Sequence, residues 1–149
     1  MTNIIYIAQF HETCGYTHAA HGYLKSIDSV LSSRKDIDLK VISISLDLKK
    51  LDLNYHKNRT SKDILDLIDK YHFKDNEELS EFLKQDYICL WHMTSVLPQI
   101  SKSVNFNKFY NYLDCDIERI IIGSDKNYHL LAWETDTLSQ EYYPPHKQV

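Results

Sequence analysis

Apolar side chains along this chain switch repeatedly between two spacings, and the switches mark out its elements. Asn3 to Phe10 is a short apolar, β-branched run without glycine or proline. That is the composition of a strand buried on both faces of a parallel sheet. A polar loop from His11 to Thr17 follows and holds the first glycine, Gly15. Ala20, Leu24, Ile27 and Leu31 then recur at steps of three and four, flanked by Tyr23 and Val30, which predicts a helix with one apolar stripe.

The alternation continues downstream. Arg34-Lys35-Asp36 reads as a charged turn, and Leu39 to Ser45 alternates like a strand. Leu46 to Arg59 breaks into charge and asparagine and reads as a surface loop. Thr60 or Ser61 is placed to cap a helix whose buried stripe is Ile64, Leu67, Ile68 and Tyr71, with Asp63 in its first turn. A second short helix follows Asn76, with Leu79, Phe82 and Leu83 inward. Tyr87 to Trp91 is a compact apolar run, read as a central strand that delivers His92 at its carboxyl end. Pro98 blocks a regular helix soon after.

Phe106, Phe109, Tyr110 and Leu113 form another helical face. Arg119 to Ile122 reads as a strand, Ser124 to Asn127 as a turn, and His129 to Trp133 as the last strand. Tyr142 to Val149 reads as a tail or a severed linker, leaving 1–141 as a single domain. Strands alternating with helices predict an α/β fold: a three-layer Rossmann-like domain with a mostly parallel sheet.

Composition acts mainly by exclusion. At 149 residues, with 43% hydrophobic and 26% charged side chains, the chain is an ordinary globular domain. The net charge of −4 and the lack of a basic face give no reason to expect nucleic acid or an anionic membrane. Lys49-Lys50 and Lys57-Asn58-Arg59 read as solvated loop charge. No apolar run approaches the ~20 residues of a membrane span, and the start lacks a signal-peptide pattern. Three widely spaced cysteines argue against a disulfide framework, so a reduced, cytoplasmic protein is expected.

Candidate chemistry gathers at the first loop and after the third strand. In open α/β sheets ligands sit beyond the carboxyl ends of the strands, where the loop from Phe10 to Thr17 belongs. The amides opening its helix, at Gly15-Tyr16-Thr17-His18, would face an anion or an acceptor hydroxyl. The plainer use is a tight turn at Gly15 and a cap at Thr17. His92 offers an imidazole that donates or accepts near neutral pH; its plainer use is a bond to a nearby carbonyl.

His11, Cys14, His18 and His21 raise zinc, but all four fall within eleven residues, whereas a standard finger separates its pairs by about twelve. They read as solvated polar groups, and neither metal nor cofactor is invoked. Cys14 as a nucleophile would need a lowered pKa and lacks any accompanying signature. Glu134 and Asp136 flank Thr135 as a carboxylate pair. Trp91 and Trp133 read as core rather than as sugar-stacking platforms.

Two segments carry a family resemblance. Thr13-Cys14-Gly15-Tyr16-Thr17-His18-Ala19-Ala20-His21-Gly22-Tyr23-Leu24 resembles the "Ser-Gly-Tyr-Gly, then Ala and a basic residue" loop-helix of many retaining GT-B glycosyltransferases. Leu130-Leu131-Ala132-Trp133-Glu134-Thr135-Asp136-Thr137-Leu138 resembles their "Trp-Glu-Thr-Asp-x-Leu-Pro" segment. Cys14, Thr17 and Ser139 stand where Ser, Gly and Pro are usual. The resemblance covers the amino-terminal, acceptor-side half only, and no nucleotide-sugar-binding half is present.

It implies transfer of a sugar from a nucleotide-sugar to a carbohydrate or other hydroxyl acceptor. His92 would contact the donor sugar, with Gly15, Tyr16, Thr17, His18 and Glu134 on the substrate side. A carboxy-terminal donor domain or a partner chain would complete the enzyme, and the isolated chain would not turn over. The alternative is a non-catalytic binding or interaction module that kept the half-fold.

Overall fold

The first strand is the hub on which the other elements are assembled. The structure is a computed structural model and describes residues 1–10, 15–44, 60–92 and 116–130. In chain order the elements are β1 (Thr2–Ala8), α1 (Gly15–Leu31), β2 (Ile37–Ser43), α2 (Lys62–Tyr71), α3 (Asn76–Phe82), β3 (Tyr87–His92), α4 (Ile117–Ile122) and β4 (Lys126–His129). The strands form one parallel sheet in the order β2-β1-β3-β4. The α/β parallel-sheet expectation therefore holds.

Each face of the sheet has its own core. Ile5, Ile7, Ile42, Cys89 and Trp91 meet Leu79 and Phe82 of α3 and Ile117, Ile120 and Ile121 of α4. Tyr6, Ala8, Leu39 and Val41 meet Ala20 and Leu24 of α1 and Ile64 and Ile68 of α2 on the other face. Covering both faces lets β1 run as the unbroken apolar stretch seen in the sequence. The chain leaves β1 toward β2 on one side, and reaches β3 and then β4 on the other. Right-handed crossovers running in opposite directions must use opposite faces, which is why α1 and α4 lie on different layers.

The helix stripes fall as their spacing predicts: Ala20 and Leu24, Ile64 and Ile68, and Leu79 and Phe82 are all buried. Two local readings are corrected. Residues 119–122 are helical rather than extended, within α4. Asp116 caps that helix by accepting from the Arg119 amide at 3.0 Å, and Ile117 with the residues three and four places on, Ile120 and Ile121, turns into the core. A four-residue apolar run carries no periodicity to separate the two states. As a result β4 begins at Lys126, inside the expected turn, and ends at His129, where the strand was expected to start.

A Cβ at Gly123 would stand 3.0 Å from the Arg119 carbonyl and the Tyr87 hydroxyl, so a larger residue where α4 ends would push on both. No described helix is long and apolar enough to cross a membrane. The loop reading of 46–59, the face at 106–113 and the tail at 142–149 lie outside the described residues.

Candidate functional site at the carboxyl rim of the sheet

Strand order reverses between β1 and β3, because the chain builds outward from β1 in both directions. Such a switch point opens a crevice beyond the carboxyl ends of the two strands. Ala8 and His92 are register partners there, so the last residue of β3 stands beside the last residue of β1. The helix that follows β1 starts at Gly15, which brings its first turn to the same rim.

His92 is the centre of an aromatic cluster and is 3% exposed. Its Nδ1 lies 3.3 Å from the Tyr6 hydroxyl. The Tyr16 ring is 5.3 Å away, and the Tyr23 ring meets it edge-on at 5.5 Å. Burial raises the Tyr6 phenol well above its usual value, so the hydroxyl keeps its proton and pairs with Nδ1 either as donor to the bare nitrogen or as acceptor from Nδ1–H. Burial also lowers the His92 pKa, which favours the neutral imidazole. The tautomer of neutral His92 sets the direction of that bond: Nε2 carries the proton when Nδ1 accepts from Tyr6, and is the bare nitrogen when Nδ1 donates to it. No carboxylate among the described residues is hydrogen-bonded to this imidazole. Among the described residues the imidazole is therefore held by a phenol and not by an acid.

The first turn of α1 has no acidic side chain to offset its dipole. A Cβ added at Gly15 would meet nothing within 4 Å, so neither packing nor a left-handed backbone demands glycine there. Gly15 is exposed as the first residue of α1, and the loop of residues 11–14 that would turn into it lies outside the described residues. Thr17 is 4% exposed and lies inside α1, so it is not the helix cap. Tyr16 is half-buried against His92, and His18 is exposed on the same turn.

His21 is used differently from the metal reading. Its Nε2 is 2.8 Å from the Phe10 carbonyl and its ring stacks on the Phe10 ring. Burial lowers its pKa, so the neutral ring donates to that carbonyl and ties α1 to the end of β1. Among the described residues no group of three metal-ligating side chains forms. His11, Cys14, Trp133, Glu134 and Asp136 lie outside the described residues.

Two participants, Tyr6 and Tyr23, escaped the sequence reading. Tyr6 was absorbed into an apolar run; its one signal was a hydroxyl among isoleucines. Tyr23 was taken only as a flank of the α1 stripe, yet it reaches His92. Trp91 is fully buried as expected, but it stacks on His129 of β4 at 3.6 Å, through a strand pairing that local spacing does not reveal. No family model, no curated protein and no solved structure matches the chain.

Proposed function

We propose that the rim between β1 and β3 binds a sugar or other hydroxyl-bearing ligand, as the acceptor-side half of a GT-B glycosyltransferase does. The observation that carries this reading is the meeting of Tyr16, from the opening turn of α1, with His92 at the switch point. Nε2 of neutral His92 hydrogen-bonds to a ligand hydroxyl, and the opening turn of α1 presents the positive end of its dipole to a negative or oxygen-rich group. Tyr16 and Tyr23 cover the imidazole, and a ligand displaces one of these side chains to reach it.

In this reading the nucleotide-sugar is held mainly by a separate donor domain or partner chain, in the cytoplasm. The likeness of the Thr13–Leu24 and Leu130–Leu138 segments to that family supports the assignment. A non-catalytic binding module is the second reading. It is favoured by one feature: His92 bonds to a phenol and, among the described residues, to no carboxylate, so nothing raises its strength as a base.

Isotope-labelled protein titrated with UDP-glucose, UDP-galactose and the methyl glycosides of glucose, galactose and mannose tests the rim. At least one ligand should shift the Gly15, Tyr16 and Thr17 amides together with the His92 ring. Gly15→Ala should keep or raise the melting temperature, because alanine is the better helix former and meets no clash, while weakening that ligand about tenfold. Silence of the rim toward the whole panel overturns the proposal. Sugar transfer by the 149 residues alone would instead overturn the division between two halves.

A further inference from the structure

Tyr23 belongs to two surroundings at once. Its ring packs edge-on against His92, and it also lines a groove of about 270 Å³ with Ile4, Ile27, Leu31, Leu39 and Leu90. The groove lies on the sheet face that carries α1, along the flank of that helix. Ser26 is a polar lining residue, and its hydroxyl already donates to the Gly22 carbonyl at 2.9 Å. The lining is otherwise aliphatic or aromatic carbon. Tyr23 is 47% exposed and Val30, also on the wall, is 58% exposed, so this part of α1 presents apolar side chains that the described fold does not cover.

Volume separates the occupants. Ligand pockets run from about 300 to 1,000 Å³, and a helix with its side chains is about 10 Å across. A space of about 270 Å³ takes one aromatic ring or a short alkyl chain and not a helix. Its position matters as much, because the groove adjoins the histidine site through the one side chain they share.

We propose that this groove is the apolar subsite of the ligand bound at the rim, and that the ligand is a hydroxyl compound bearing an aryl or short alkyl group. The apolar group packs on Ile27, Leu31 and Leu90, and the polar end passes Tyr23 to the imidazole of His92. Displacing the Tyr23 ring opens both sections together, so the two are occupied by one molecule rather than by two. This inference rests on the rim reading.

The test compares phenyl and methyl glycosides of glucose, galactose and mannose on the 149-residue chain, observed through isoleucine and leucine methyls and the His92 ring. Phenyl glycosides should shift the Ile27, Leu31 and Leu90 methyls together with His92, and bind roughly tenfold tighter than the methyl glycoside of the same sugar. Ile27→Gln should remove that gain. Val30→Gln, at an exposed position, should reduce it with no cost in folding.

Equal affinities, with shifts confined to Gly15–Thr17 and His92, would overturn the subsite and leave the rim standing. No response from any glycoside would remove the rim and the subsite with it. Groove methyls that shift with protein concentration alone would identify a self-association surface and overturn the proposal.

Discussion

At the residue scale, His92 shows how burial turns an ionisable side chain into a fixed hydrogen-bonding group. Its pKa is lowered by burial, so protonation costs the folded state more than the unfolded one. Histidine titrates near 6.5 when unfolded. The stability that neutral His92 supports is complete above that value and is lost as pH falls from about 6.5 through the lower folded value. Urea melts of the wild type and His92→Gln should therefore differ most near pH 7.5, and the gap should narrow by pH 5.5. The other histidines cancel in that difference. Asp28, Asp36 and Asp63, held below the usual carboxylate range by Lys70, Arg34 and Lys25, titrate beneath the window. A gap that stays constant or widens would contradict the neutral imidazole.

At the element scale, the starts of α2, α3 and α4 divide into two held by a side chain and one that is not. Asp75 accepts from the Glu78 amide at 2.8 Å while Glu78 reaches back to the Lys74 amide at 2.7 Å, a reciprocal pair at the start of α3. Asp116 caps α4 in the same manner. Ser61 occupies the cap of α2 but makes no cap bond; its hydroxyl is hydrogen-bonded to Asp63. Asp75→Ala and Asp116→Ala should each cost about 0.5–2 kcal/mol in chemical denaturation. Ser61→Ala should cost less than ~0.5 kcal/mol, the range of exposed surface changes. Equal losses at all three positions would mean that the cap geometry does not govern these helices.

Capping also shows how far local reading went and where it stopped. Long stripes such as Ala20-Leu24-Ile27-Leu31 identify a helix from the sequence alone, because several turns repeat the same phase. Arg119 to Ile122 spans little more than one turn, so its state depends on the Asp116 cap and on Gly123. The candidate site divides the same way. Gly15, Tyr16 and His92 could be picked out from their places at a helix start and a strand end. Tyr6 and Tyr23 could not, because only the folded chain brings them to the histidine.

At the scale of the whole molecule, the central strands are sealed between two helical layers. Cys89 is fully buried in the core under α3 and α4, and burial raises its thiol well above the usual range. A raised, enclosed thiol is a poor nucleophile. Iodoacetamide should leave Cys89 unmodified in native protein, as read by peptide mass spectrometry, and modify it only across the global urea transition. Modification at low urea would show that the α3–α4 layer opens on its own. Edge protection fits the same design. His72 makes a single parallel bridge to Val41 on the outer strand, and Lys40 of that strand pairs with Glu78.

What the sequence by itself determined is the alternation of strands and helices through β3, the inward stripe of each long helix, and the delivery of Gly15 and His92 to element ends. Those properties repeat within a few residues, where periodicity and capping act. Only the tertiary structure decided that β3 lies beside β1, that Tyr6 and His92 bond across 86 residues, and that Tyr23 joins the imidazole to an apolar groove. Strand neighbours are chosen by how two helical layers cover one sheet, and that choice leaves no mark in the spacing of nearby side chains.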